Sequence, residues 1–425
     1  MSHLATQSAY TRLTDRLNLF PLGAPPSALL HQILRLLFSE QEAGLVALLP
    51  VKPCTVQTAA RIWKKTEAEA GRILESLADR GILLDTEHDG ASLFTLPPPM
   101  AGFFEVSLMR VRQDIDQKAL SELFYQYLNV EEEFIKALFT TGETQLGRVF
   151  VNEAALPRNL SLSVLDYERA NEVIRTARFR AVGVCYCRHK MEHLGRSCDA
   201  PMEICLTFND AAESLIKHGI ARSIDAAEGL DLLQQAYARN LVQFGENVQH
   251  QVNFICNCCG CCCEAMLAAK RFGLLHPVHT TNYIPELNEE RCNGCGKCVD
   301  ACPVEAMSLV YANNPEKKRR RKAQLNEEIC LGCAVCVRNC PEGGIRLTER
   351  PERAVTPVNS VHKVVLMAIE RGKLQNLIFD NQALWNHRAM AAILGVILSL
   401  PPLKQVMASK QMKSRYLERL LARAG

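Results

Sequence analysis

One cysteine spacing occurs twice, thirty-eight residues apart: Cys292-Asn-Gly-Cys295-Gly-Lys-Cys298-Val-Asp-Ala-Cys302-Pro303 and Cys330-Leu-Gly-Cys333-Ala-Val-Cys336-Val-Arg-Asn-Cys340-Pro341. Each reads C-x2-C-x2-C-x3-C-P, the run that wraps a chain around a cubane iron–sulfur cluster. Three thiolates at a two-residue interval grip three irons of one cube from a single tight loop. The fourth cysteine begins a helix that leads away, so in a two-cluster arrangement it serves the other cube. The pattern assigns Cys292, Cys295, Cys298 and Cys340 to a first cluster, and Cys302, Cys330, Cys333 and Cys336 to a second. Tetrahedral zinc needs four ligands and no third C-x2-C step. Disulfides need an oxidising compartment, and pairs two residues apart suit metal better.

Residues 282–348, which contain both runs, resemble the bacterial-type two-cluster ferredoxins. The resemblance implies two 4Fe-4S clusters, low-potential one-electron chemistry and a redox partner protein. This chain departs from compact ferredoxins at residues 312–326 (ANNPEKKRRRKAQLN), a longer link expected to form a solvated hairpin or loop.

A chain of 425 residues predicts two to four domains, and its 48% apolar content is ample for packed cores. A net charge of +3 does not mark a nucleic-acid protein. The positive charge gathers in Lys317-Lys318-Arg319-Arg320-Arg321-Lys322, read as a solvated loop or as a docking patch for an acidic redox partner. Nineteen cysteines behind an N-terminus without a secretory pattern point to a reducing cytoplasm and an anaerobic or microaerobic host. The most apolar stretch, 389–400, is shorter than a membrane span and predicts a buried or interfacial helix.

Residues 1–105 carry the pattern of a winged helix. Helices are expected at 28–38, 40–49, 55–63 and 67–80, the last ending at Gly81, followed by strands at 82–84 and 92–95 around a turn at 88–90. The second helix of the helix–turn–helix pair holds Glu67, Glu69, Glu75 and Asp79 against Arg72 and Arg80. DNA affinity rests on neutralised phosphates, so this balance favours protein docking over DNA binding. Residues 106–180 read as a helical connector with helices at 113–128, 131–139 and 166–178. Residues 351–425 read as C-terminal helices at 360–372, 381–400 and 403–424, the last basic and amphipathic, with a peripheral membrane contact as its second reading.

Residues 181–281 form a cysteine-rich block: a strand at 182–187, helices at 210–218 and 225–240 (the second opened by an Asp225/Glu228 capping box), and a strand at 251–255. The order CYCR, later cysteines, a helical pair and CNCCGCCC resembles the middle region of multidomain iron–sulfur proteins of anaerobic bacteria. Setting aside the eight dicluster cysteines and Cys54 leaves ten thiols: Cys185, Cys187, Cys198, Cys205, Cys256, Cys258, Cys259, Cys261, Cys262 and Cys263. Both groups are expected at one edge of a small sheet. Neighbouring strand residues point to opposite faces, so Cys258 and Cys259 share one metal only if the strand has ended, with Gly260 supplying the bend. Three assignments compete: a third iron–sulfur cluster with or without a fourth, a zinc ion on Cys185, Cys187, Cys198 and Cys205, or a thiol–disulfide relay through the vicinal cysteines. Arg188 and His189 are candidates to hydrogen-bond cluster sulfurs, or to form surface ion pairs.

The expected architecture is α+β and multidomain: winged helix, cysteine-rich α/β middle domain, ferredoxin-like dicluster domain and C-terminal helices. The expected function is electron transfer to a partner oxidoreductase, as a carrier or oxidoreductase subunit with no catalytic residues of its own. A redox-sensing transcription regulator and a reductase acting at the middle cysteines are the other two classes.

Overall fold

A computed structural model of the chain describes residues 8–88, 90–157, 160, 164–312, 321–354, 356–379 and 390. Near the N-terminus, hydroxyl side chains set five helix starts, with Ser8 and Ser27 opening Ala9–Leu17 and Ala28–Leu37. Ser39, Thr55 and Thr66 each accept the amide N–H three residues on, opening the helices Glu40–Val46, Val56–Trp63 and Glu67–Asp79. Strand β1 (Cys54–Thr55) separates the first two of these three, and the hairpin β2 (Leu84–His88) and β3 (Ala91–Thr95) follows the third, giving a sheet ordered β1-β3-β2. The first hairpin strand begins later than the expected 82–84, because Ile82 and Leu83 turn inward after Gly81 and are fully buried.

The acidic helix Glu67–Asp79 is engaged within the chain. Asp79 Oδ1 lies 2.6 Å from His218 Nδ1, Asp85 on β2 lies 3.0 Å from His218 Nε2, and Lys217 reaches both Asp85 and Glu75. Ser214 donates its hydroxyl to Asp85 and accepts the Asp85 amide N–H. Burial pushes the Asp85 carboxyl up, but Lys217, Ser214 and His218 together hold it below the usual carboxylate range.

The helices Gln117–Tyr125 and Glu133–Phe139 lead into β4 (Gly147–Val149). With β5 (Arg180–Val184), β6 (Glu203–Phe208), β7 (Arg222–Ser223), β8 (Val242–Glu246) and β9 (Phe254–Cys258) it builds a six-stranded sheet ordered β4-β8-β9-β6-β5-β7. Every strand pair in this sheet is antiparallel, so the middle block is α+β rather than α/β. The boundary expected at 180/181 cuts through the sheet, since β4 lies upstream of it. The strand expected at 182–187 ends at Val184, where a bulge breaks the β5–β6 register, and Cys185 caps the helix Tyr186–His193. The strand expected at 251–255 is displaced to 254–258 and carries two cysteines itself. Asp225 caps the helix Ala226–Ala238 as expected, but Glu228 turns to Arg222, leaving half of the capping box.

The period of two divides the sheet's faces. Val182, Leu206 and Ile255 share a core with Ile174 and Leu233 from the helices Ala170–Thr176 and Ala226–Ala238. Ala181, Val242, Phe244 and Cys258 join the larger core that also holds the N-terminal helices. The described residues of the C-terminal segment include the helices Ser360–Glu370 and Leu374–Ile378; the helices expected at 381–400 and 403–424 lie outside the described residues except Met390. No described helix is long and apolar enough to cross a membrane.

The first C-terminal helix is tied to β8 by a buried pair, Lys363 with Glu246, joined by Ser360. Burial pushes the Glu246 carboxyl up, but Lys363, Ser360 and the Asn253 amide hold it lowered. A carboxyl depressed by folding stabilises above its unfolded pKa and loses that contribution as pH falls through the folded one. Acidification below about pH 4 is therefore expected to free the helix Ser360–Glu370, read as faster amide hydrogen exchange there than in β9.

In the dicluster region β10 (Tyr283–Leu287) pairs with β13 (Ile345–Glu349), and β11 (Met307–Tyr311) pairs with β12 (Arg321–Leu325). The link expected to be a hairpin or loop is therefore strand again from Arg321, while residues 313–320 lie outside the described residues. Short helices Lys297–Asp300 and Val335–Arg338 stand at matching places in the two halves.

Candidate metal centres

Each cysteine triplet sits in a loop that needs a left-handed backbone. Gly294 (φ +72°) and Gly332 (φ +69°) are also pressed so closely onto the Arg321 and Tyr283 carbonyls that a Cβ would stand 2.3 and 2.1 Å away. Only glycine fits. The structure brings Cys340 to the opening lined by Cys292, Cys295 and Cys298, with Leu287, Leu309 and Ile345 around it. Cys302 faces the other triplet, where it adds to the electrostatic surroundings of Cys330, Cys333 and Cys336. Matching amides donate to sulfur in both halves: Ala306 N–H to Cys302 Sγ at 3.2 Å and Gly344 N–H to Cys340 Sγ at 3.2 Å, with Ala323 N–H to Cys292 Sγ at 3.4 Å. Such N–H···S bonds favour the charged thiolate that ligates metal.

The two quartets differ in setting. Cys295 is exposed and Cys292 half-buried, so the first opens to solvent. Cys330 and Cys336 are buried, and burial pushes the Cys333 thiol up to about 12. The Arg350 guanidinium donates to the Cys330 carbonyl at 2.6 Å, placing a cation beside the second quartet.

The ten remaining thiols divide into two groups, which cysteine spacing did not disclose. Cys198, Cys259, Cys261 and Cys262 hold their sulfurs within 4.8 Å of one another, with Cys198–Cys259 and Cys261–Cys262 at 3.7 Å and Cys262–Cys198 at 3.9 Å. A tetrahedral ion with metal–sulfur bonds of about 2.3 Å spaces its ligand sulfurs by about 3.8 Å. This group therefore fits a single ion. None of the eight dicluster cysteines belongs to a group this compact among the described residues, as expected for thiolates spread over the corners of a cube. The zinc set expected from sequence is corrected accordingly: Cys198 leaves Cys185, Cys187 and Cys205 and joins the cysteines after β9.

The other six form a closed ring of neighbours, Cys185–Cys187–Cys263–Cys258–Cys256–Cys205 and back to Cys185. Sheet register explains it. Leu206 pairs with Ile255, so Cys205 stands opposite Cys256 one step along, and Cys258 follows on the same face. The bulge after Gly183 swings Cys185 alongside, and Cys187 and Cys263 come from the starts of the helices Tyr186–His193 and Glu264–Phe272. The thiols thus gather at the ends of three central strands rather than at a sheet edge. Adjacent Cys258 and Cys259 go to different groups. Gly260 is needed for close approach rather than for a left-handed bend: a Cβ there would stand 2.5 Å from the Pro303 carbonyl oxygen. The loop of the four-thiol group is thereby packed on the residue next to Cys302.

Acidity alternates around the ring. Hydrogen bonds with neighbouring sulfurs hold Cys185 and Cys256 low and draw Cys263 down to about 6, while Cys187, Cys205 and Cys258 are pushed up; Cys258 and Cys263 Sγ lie 3.0 Å apart. Arg188 is fully buried and faces Cys185, Cys259, Cys205 and Cys258. Its Nη atoms donate to the Pro201 and Asn257 carbonyls at 3.0 and 2.7 Å, its Nε is unpartnered, and it has no carboxylate partner among the described residues. A surface ion pair for Arg188 is thus excluded. One ring nitrogen of His189, Nδ1, is taken up by the Leu108 carbonyl oxygen at 2.8 Å.

Comparison with known proteins bears on the dicluster region. Residues 291–344 match the 4Fe-4S dicluster domain family. Ferredoxin-type protein NapF from Escherichia coli K12, and its counterparts from the O6:H1 and O157:H7 strains, are 38% identical over 56 residues. That segment is 13% of this chain and 31% of each relative, so the chain spans about a third of the length of the curated relatives it matches. Residues 291–344 are thus similar to ferredoxin-type 4Fe-4S dicluster domains.

Proposed function

We propose that this chain is an electron carrier that binds two 4Fe-4S clusters, takes electrons at an exposed face and delivers them inward toward its middle domain or a partner oxidoreductase. The crossed placement of Cys302 and Cys340, each facing the other run's triplet, carries this reading. When bound, each cluster supplies reversible one-electron chemistry. Cys292, Cys295, Cys298 and Cys340 would hold one, and Cys302, Cys330, Cys333 and Cys336 the other. The exposed Cys295 marks the entry face. Beside it the Arg321 carbonyl packs on Gly294, so a basic residue adjoins this opening, which suits an acidic donor protein. Inward, Pro303 connects Cys302 to the four-thiol loop through its contact with Gly260. That compact group would hold a single tetrahedral ion, iron or zinc, pinning the loop at this contact.

The N-terminal region follows a helix–strand–helix–helix–hairpin order, and we read it as a winged helix that docks within the chain. Two acidic residues of its second helix, Glu75 and Asp79, face Lys217 and His218, which favours this over DNA binding. Full-length protein is expected to bind no duplex DNA even at low salt, whereas a salt-sensitive complex would favour the regulator reading.

Potentiometric titration followed by electron paramagnetic resonance tests the carrier reading. Two reversible one-electron centres are expected, and a protein with none refutes it. Arg350→Gln removes a cation beside Cys330, so adding an electron there becomes harder. The potential of the second centre alone is expected to move negative, by an amount on the order of 100 mV for one charge several ångströms away at an effective dielectric near ~20.

A further inference from the structure

We propose that the ring of Cys185, Cys187, Cys205, Cys256, Cys258 and Cys263 is a metal centre of its own, holding a polynuclear iron–sulfur cluster separate from the two dicluster cubanes and from the single ion of the four-thiol group. Ligand number is the first argument. One tetrahedral ion takes four thiolates and would strand two buried cysteines, whereas a cluster of several irons uses six, with some thiolates bridging. Spacing is the second. Cys258 and Cys263 stand 3.0 Å apart, but no three of the six sulfurs lie within 4.8 Å of one another, so together they surround a wider space than one ion fills. In this they resemble the dicluster quartets and differ from the four-thiol group beside them.

Charge is the third argument. Arg188 brings a full positive charge into the interior without a carboxylate partner among the described residues, and buried charges persist when paired. Two helix starts also point at the ring. Cys185 and Cys263 are themselves the N-cap residues of Tyr186–His193 and Glu264–Phe272, so both helix starts adjoin the ring. Helix N-termini favour anions. A guanidinium and two helix starts make a site for an occupant of net negative charge, which thiolate-ligated iron–sulfur clusters supply. Assembly would release the remaining thiol protons to solvent as metal binds. Cys258 and Cys263 belong to the same extended core as Val304, Cys330 and Val335. The inference rests on the carrier reading only for the source of its electrons.

The test is metal and sulfide content of the full-length chain prepared anaerobically with iron and sulfide. The dicluster domain accounts for about eight irons and the four-thiol group for about one ion. The ring is expected to add iron clearly above about nine per chain, with matching acid-labile sulfide. Cys205→Ser/Cys256→Ser is expected to lose that surplus and keep the rest, while Cys259→Ser/Cys262→Ser loses the single ion and keeps the surplus. Wild-type protein with no more than about nine irons, its ring cysteines alkylating as free thiols or crosslinked as disulfides such as Cys258–Cys263, overturns the proposal. The wild-type count decides even if the ring variant fails to fold. Arg188→Met, which keeps all six thiols, is expected to retain the surplus iron and move its potential negative. Failure of the carrier reading shows separately: Cys298→Ser/Cys336→Ser then leaves the titration unchanged, whatever the surplus.

Discussion

A chain carrying Cys340→Ser is expected to lose the cluster of the first cysteine run and keep that of its own run. In sequence Cys340 follows Cys336 by four positions, and a reader of local spacing would take them as partners. In space Cys340 lines the opening formed by Cys292, Cys295 and Cys298, along with Gly344 and Ile345. A cubane bound by three thiolates and a serine hydroxyl is weakly held, because the soft iron site prefers sulfur. Iron content should fall by about four per chain, and the lost resonance should be that of the more solvent-exposed centre. Cys302→Ser should remove the other one. If Cys340→Ser instead removes the more buried centre, the crossed assignment is wrong.

Glu264→Ala is expected to cost about 3–5 kcal/mol of stability, the scale for removing one member of a buried ion pair. Glu264 and Lys190 are both fully enclosed, and Asn129 completes the cluster by donating to Glu264 and accepting from Lys190. Without the carboxylate the ammonium keeps its desolvation cost and loses its counter-charge; its remaining neighbours are Asn129 and the face of Tyr125. The double change Glu264→Ala/Lys190→Met should recover much of the loss, since it removes the stranded charge. Urea unfolding followed in the middle-domain transition measures both. The position magnifies the effect, because Glu264 follows Cys263 directly and anchors the helix that places this ring thiol.

The helix starts, the acidic helix and both ligand loops were legible in the sequence because each is decided within a few residues. Thr66 and Glu69 close their capping box from three positions apart, and Gly294 supplies a left-handed angle to its own loop. The middle block was less legible. The strand expected at 182–187 stopped short because a bulge after Gly183 hands Cys185 to a helix, and such a bulge depends on the partner strand. Arg188 reads in sequence as either a donor to cluster sulfurs or a surface cation, and in the fold it is fully buried, donating to the Asn257 carbonyl of β9. Glu264 carried no sequence signal as a buried residue, since its partner lies seventy-four positions away.

The sequence by itself marked two runs of cubane-ligand spacing within residues 282–348, since the ligand spacing and glycines of each loop are set within a few residues. It also established that ten further thiols exist, without saying how they combine. Only the tertiary structure decided that, by bringing Cys198 sixty-one positions forward to Cys259 and setting Cys205 across from Cys256. Backbone sterics act over a few residues and can be read locally. Strand register and helix docking act between distant segments, and they sorted the cysteines into a four-thiol group and a ring of six.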